Sequence, residues 1–271
     1  MRTVIHLSDL HFGTVDLALL TPLVEAVSAL KPDVVVVSGD VTQRARTSEF
    51  RDAQAFLARL PHPQVVVPGN HGIPLHNIVH RWLRPLNKFR LHIESNPSPS
   101  FVDAEIAVIG VNTARSMVLK NGRINAEQLD SVRAMFARVD DSAIKIVVAH
   151  HPFDVAPLAH ARKRVGGAEL AMAAFAQCGV DVLIAGHFHI SGAFGTGHRY
   201  SLSGYEALMV SAGTATSTRG RGEANSFNVL RLCKTRIEVE RFEWVDARRR
   251  FLPCSHDVFK RKHKAWSIVS A

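Results

Sequence analysis

Short β-branched runs alternate with segments of helical period along most of this 271-residue chain, and that alternation limits the fold more than any other feature. TVIHL (3–7), DVVVVSG (33–39), VVV (65–67), EIAVIGV (105–111), IKIVVAH (144–150) and DVLIAG (181–186) read as strands. Residues 16–30 carry Leu and Val at helical spacing and stop at Lys31-Pro32, where proline disfavours continuation. Further helices are expected over 47–60, 125–137 and 166–178, and a helix plus loop walling a site over 75–100. Strands in alternation with helices predict an α/β fold. After 190 the pattern changes: EALMVSAG (206–213), SFNVLRL (226–232) and RIEVERFEWV (236–245) are separated by short turns, which suggests antiparallel pairing. The imperfect alternation in the last of these fits a half-exposed edge strand. One domain of two β-sheets with helices outside is the simplest account.

What ends each run carries the chemistry. TVIHL is followed by Asp9 and His11, VVVV by Gly39-Asp40, and VVVPG by Asn70 and His71. IKIVVA ends in His150-His151, and DVLIA in Gly186-His187-Phe188-His189. In an open α/β sheet the carboxyl ends of the strands form the crevice where ligands bind, so these distant side chains are expected to converge. Turn chemistry explains Gly, Asp and Asn at such places; it does not explain a histidine surplus at successive strand ends. Two carboxylates, one amide oxygen and four imidazoles, with no thiolate, suit Mn²⁺, Fe, Zn²⁺ or Co²⁺. Seven donors are too many for one tetrahedral ion and fit two ions sharing a bridging carboxylate. Such a pair clamps the attacking and leaving oxygens of an in-line phosphoryl displacement.

Composition narrows the setting. Apolar residues make up 46% and charged residues 21%, as in ordinary globular proteins, and no run is long enough for a membrane span. The start, MRTVIHLSDLHFG, lacks a signal-peptide pattern, and three scattered cysteines (Cys178, Cys233, Cys254) fit a reducing compartment, so a cytoplasmic location is expected. The net charge of +9 favours anionic partners. Part of it lies in RRR (248–250) and KRKHK (260–264), expected as a solvated basic tail or a contact with a membrane surface or nucleic acid.

The order D-x-H, G-D, G-N-H, H, G-H-x-H over residues 4–189 resembles the signature of the calcineurin-like metallophosphoesterase superfamily. LSDLHFG and GHFH look most like its bacterial cyclic-nucleotide phosphodiesterase branch. The resemblance implies a four-layer α-β-β-α metallophosphoesterase fold, a two-sheet β-sandwich flanked by helices, over residues 1–245, with 246–271 as a basic C-terminal tail. It implies that Asp9, His11 and His189 bind one ion, Asn70, His150 and His187 the other, and that Asp40 bridges both. His71 would then donate a proton or hydrogen bond to substrate, and His151 would stand behind the ligands or touch substrate. The family usually has Asp or Glu after that first histidine, where this chain has Gly72, so Asp9 is expected to orient His71 instead. The implied activity is phosphodiester hydrolysis of a small nucleotide by in-line attack of a hydroxide bridging two metal ions. A nucleotide-linked lipid diphosphate (UDP-diacylglucosamine type) at a membrane surface, nuclease action, and a metal-bound scaffold without catalysis stand as alternatives. No separate nucleic-acid-binding module is visible. Candidate selectors of substrate are Gln43, Arg44, the basic 76–92 segment, Arg219 and Arg221, with Arg44 the foremost phosphate contact; the amphipathic stretch 76–89 is the candidate membrane contact.

Overall fold

Two-sided burial builds both sheets. The computed structural model describes residues 1–74, 82–116, 121–156, 164–202, 204–220 and 222–269. The first sheet contains β1 (Arg2–Leu7), β2 (Val34–Val37), β3 (Gln64–Val66), β10 (Ser226–Cys233), β11 (Arg236–Val245), β12 (Arg250–Lys262) and β13 (Ala265–Ile268). Its order is β13-β12-β11-β10-β1-β2-β3, with β1, β2 and β3 parallel and the remaining pairings antiparallel. The second contains β4 (Ser100–Val102), β5 (Ile106–Val111), β6 (Ile144–Ala149), β7 (Val182–Ala185), β8 (Gly192–Gly195) and β9 (Leu208–Ser211) in the order β4-β5-β6-β7-β9-β8. Here β5, β6, β7 and β9 are parallel, while β4 and β8 run antiparallel at the edges.

Side chains alternate between faces along each strand, and both faces are covered. Val4, Val34 and Val36 meet Val108, Ile146, Val148 and Ile184 in a core between the sheets. Ile5, Leu7, Val35 and Val37 point outward onto α1 (Leu20–Ala29), α2 (Thr47–Leu57) and α3 (Asn87–His92), where Leu23, Phe50, Phe56 and Phe89 complete a second core. Ala107, Ile109, Val147 and Leu183 pack on α4 (Ala126–Phe136) and α5 (Ala168–Cys178) through Leu129, Phe136, Met172 and Phe175. The layers are therefore α-β-β-α, as the resemblance implies. Asn125 caps α4 by accepting from the Gln128 backbone N–H, and Gly179 ends α5 in the left-handed conformation at φ 69°.

Two expectations are corrected. β11 is not an edge strand, because it is paired on both sides by β10 and β12. Residues 246–271 are not a separate tail: up to Ile268 they form β12 and β13 of the first sheet. The cause is apolar anchoring. Phe251 joins the core on the helical side, while Phe259 and Trp266 enter the core between the sheets. Phe251 and Phe259 would share a face in a regular strand. The register shift that skips Cys254 opposite Arg241 and Phe242 sends them to opposite faces. The basic residues lie at the rim, where Arg261 reaches Asp181 (2.7 Å) beside β7 and stacks over the Trp266 ring (5.6 Å). Within 75–100, residues 75–81 lie outside the described part, and α3 is much shorter than that span.

Candidate metal centre

The turns after β1, β2 and β3 meet those after β6 and β7 at one end of the sandwich, so the first sheet supplies Asp9, His11, Asp40, Asn70 and His71, and the second supplies His150, His151, His187 and His189. Asp9 Oδ1, His11 Nε2 and His189 Nε2 form a triangle with sides of 3.6, 3.3 and 3.1 Å. Around His150 Nε2 stand Asp40 Oδ2 at 3.2 Å, Asn70 Oδ1 at 3.1 Å and His187 Nδ1 at 3.3 Å. The groups join at Asp40, whose Oδ2 is also 4.0 Å from His11 Nε2.

Neighbours fix which atom faces inward in four of the donors. Asp9 Oδ2 accepts from the Ser8 hydroxyl (2.6 Å) and the His187 backbone N–H (3.0 Å), while Oδ1 has no hydrogen-bond partner. Asp40 Oδ1 accepts the His71 backbone N–H (2.8 Å), leaving Oδ2 for the centre. His150 Nδ1–H donates to the Ser38 carbonyl (2.9 Å) and His189 Nδ1–H to the Arg219 carbonyl (3.0 Å). A carbonyl only accepts, so in each of these rings it is Nε2 that faces inward and, in the neutral form, presents its lone pair there. A chain of bonds runs beneath: Asn228 Nδ2 donates to His6 Nδ1 (3.4 Å), His6 Nε2–H to Ser38 Oγ (2.8 Å), Ser38 to Ser8 Oγ (2.8 Å), and Ser8 to Asp9. Burial pushes His6 down to about 3, so it is neutral, as that direction of donation requires.

The backbone is held in an uncommon conformation at this rim. Asp9, His11, Asp40, His187 and His189 all have positive φ, between 47° and 75°. Glycines precede three of the donors for want of space. A methyl on Gly39 (φ 100°) would lie 2.6 Å from His150 Nδ1, and one on Gly69 or Gly186 would strike the Asp40 carboxylate or the Ser8 hydroxyl.

The electrostatics test whether cations fit. Burial opposes charge on Asp9, but His11 and His189 outweigh it and hold the carboxyl well below its usual range. Burial likewise opposes charge on Asp40, where His150 prevails and lowers it. His150, disfavoured as a cation by burial, is lifted by Asp40 to about 9, and His187 is pushed by burial and then by His150 down to about 4. Two imidazole nitrogens 3.1 Å apart beside a buried carboxylate oxygen without a hydrogen-bond partner make a site that favours a cation between them. A metal ion can take the place of the proton that His150 otherwise holds. The donors around both groups fit two such ions.

His71 donates its Nδ1–H to the Gln43 carbonyl (2.8 Å) and packs edge-on to His11. The expectation that Asp9 orients it is corrected, since Asp9 Oδ2 is engaged by Ser8 and His187 and its Oδ1 by the inner triangle. Burial lowers the proton affinity of His71, and Asp40 only partly offsets this. His151 is fully buried, with Nδ1 2.8 Å from the Thr113 hydroxyl, its ring against His187, and Nε2 without a hydrogen-bond partner. Arg44 is exposed; its backbone N–H is held by Glu49 (2.7 Å), and among the described residues no bond fixes its guanidinium. Arg219 is better placed, with Nη1 on Gln43 Oε1 (3.0 Å), its carbonyl on His189, and its charge felt by His71. Arg221 and residues 76–81 of the amphipathic stretch lie outside the described residues.

The sequence matches the family described as calcineurin-like phosphoesterase over residues 2–191. The glycerophosphodiester phosphodiesterase GpdQ of Enterobacter lignolyticus is 36% identical over 77 residues, which cover 24% of this chain and only 28% of that protein. Purple acid phosphatase PPD1 from yellow lupin superposes with a TM-score of 0.71 at 13% identity, over 97% of this chain and 54% of that one. A dimetal phosphatase from Danio rerio gives 0.63 at 16% identity, over 93% and 98%. The two solved structures share the arrangement of two sheets flanked by helices.

Proposed function

Because this chain belongs to the calcineurin-like phosphoesterase family, we propose that it is a dinuclear metal-dependent phosphodiesterase acting on a small nucleotide. Asp9, His11 and His189 would hold one ion, Asn70, His150 and His187 the other, and Asp40 would be shared. The observation that carries this reading is the position of Asp40 Oδ2, 3.2 Å from His150 Nε2 and 4.0 Å from His11 Nε2. Bound ions of this kind act as Lewis acids on phosphoryl oxygens and make water a nucleophile at neutral pH.

The protein's own groups do the rest. The Ser38 and Arg219 carbonyls keep His150 and His189 from rotating, and Ser8 keeps Asp9 turned inward. With Nδ1 committed to Gln43, His71 has Nε2 left to meet substrate; a proton held there would pass to the departing ester oxygen, and the lowered proton affinity makes that protonated ring a stronger acid but a less populated one. The GpdQ likeness favours a diester, and the +9 charge an anionic substrate. Three free cysteines suit a reducing, cytoplasmic setting, and among the described residues no helix is long and apolar enough to cross a membrane.

The test is to load the protein with Mn²⁺, count ions per chain, and assay a bis-aryl phosphate, an aryl monophosphate and cyclic AMP. Asp40→Asn is expected to weaken binding of both ions. His71→Ala should keep them and lose about 10²–10⁴ in turnover on diesters with poor leaving groups. Native turnover by metal-loaded His71→Ala on such a diester overturns the role of His71. Bound ions with no hydrolysis in any assay favour the scaffold reading. One observation favours a second substrate, the nucleotide-linked lipid diphosphate: Trp82, Leu83 and Leu91 are 59%, 76% and 71% exposed beside Arg84, Lys88 and Arg90. Co-flotation with anionic vesicles, and hydrolysis only of detergent-dispersed lipid diphosphate, would select it.

A further inference from the structure

A cavity of about 450 Å³ lies between the 83–90 segment and the end of β5, its walls including Leu83, Arg84, Arg90, Asn112, Arg115 and Ser116. That volume is in the range of small-ligand sites. Three arginines face it, and no Asp or Glu is among the described residues that line it. Arg115 is half-buried, with Nη1 donating to the Asn112 and Ala114 carbonyls (both 3.1 Å) and Nη2 to Gln128 Oε1. Every one of these partners is neutral, so the guanidinium is fixed in place with no acidic partner among the described residues. Burial, and then Arg123, lower its proton affinity, as expected of a cation lacking a counter-ion.

Both walls connect to residues that flank the metal centre. On one side Asn112 precedes Thr113, whose hydroxyl is 2.8 Å from His151 Nδ1. On the other, Lys88 Nζ donates to the Ala45 carbonyl (2.9 Å), two residues beyond the Gln43 carbonyl that holds His71. The walls thus lead to residues that pack directly on the proposed site, His151 against His187 and Gln43 against His71. A cleft with three positive charges and no acid among its described lining residues, bordering the flank of a phosphate-cleaving centre, is built for negative charge on the same molecule. We infer that Arg84, Arg90 and Arg115 hold a second anionic group of the substrate, a phosphate or carboxylate beyond the phosphate that is cleaved. This rests on the phosphodiesterase reading and deepens it: the preferred substrates are those carrying at least two separated negative charges.

The experiment uses nitrophenyl phosphodiesters whose second alcohol is either plain ethanol or an alkyl chain ending in a phosphate two, four or six carbons away. With the Mn²⁺-loaded enzyme, at least one phosphate-bearing member should exceed the ethyl ester in kcat/KM by about tenfold, mainly through KM. A tenfold difference corresponds to about 1.4 kcal/mol of added binding. Arg84→Ala/Arg90→Ala, at two exposed positions, should abolish that preference and leave the ethyl ester within about twofold. The preference should also shrink in high salt. Arg115→Lys keeps the charge without the planar fork and should lose part of the gain. Equal kcat/KM for all members, or a preference that survives the double substitution, overturns the inference. No hydrolysis of the ethyl ester with ions bound would instead overturn the phosphodiesterase reading itself.

Discussion

Gly39 shapes the centre by what it lacks. Its φ of 100° and the closeness of the His150 ring leave no room for a methyl group. Gly39→Ala is expected to destabilise the metal-free protein by about 1–3 kcal/mol and to displace His150. Gly72→Ala is the control: nothing stands within 4 Å of its missing side chain, so stability should change little. Urea unfolding and ion counts on both variants check this. At this scale the convergence of Asp9, His11, Asp40, Asn70, His150, His187 and His189 was legible, because each follows an apolar run. It could not show the carbonyls of Ser38, Gln43 and Arg219, since a backbone acceptor leaves no trace in residue type. The same blindness hid the place of Arg219, whose carbonyl holds His189.

Among elements, the buried strands were the most legible. The run expected at 144–150 is β6 (Ile144–Ala149), and that expected at 105–111 is β5 (Ile106–Val111). β12 was hidden because its arginines and lysines resemble a solvated tail and its register shift breaks the alternation a strand is recognised by. Its attachment is substantial. Trp266 is 2% exposed in the core between the sheets, so Trp266→Ala should cost about 3–5 kcal/mol. If 246–271 were a free tail, the same change would leave the unfolding midpoint where it is; thermal and urea denaturation distinguish the two.

The whole sandwich is sensitive to acid through a histidine away from the proposed chemistry. His6 sits at 0% exposure on β1, linked to Ser38 and to Asn228, which also donates to the Ser211 carbonyl of the opposite sheet (3.0 Å). Burial lowers it to about 3, whereas an unfolded histidine titrates near 6.5. Between those values the unfolded chain binds a proton that the native state refuses. Its stabilising contribution is therefore full above about pH 6.5 and declines as pH falls, by about 1.4 kcal/mol per pH unit. Comparing His6→Gln with the parent by urea unfolding of metal-free protein from pH 7 to 4.5 should show a shallower decline in the variant. The proposed metal donors straddle the sandwich in the same way, with Asp9, Asp40 and Asn70 rooted in one sheet and His150, His187 and His189 in the other. An ion seated among them would be a clasp as well as a reagent. Capturing it would draw the two halves of the fold shut at the rim, so hold on the cation and stiffness of the catalytic edge would rise and fall together.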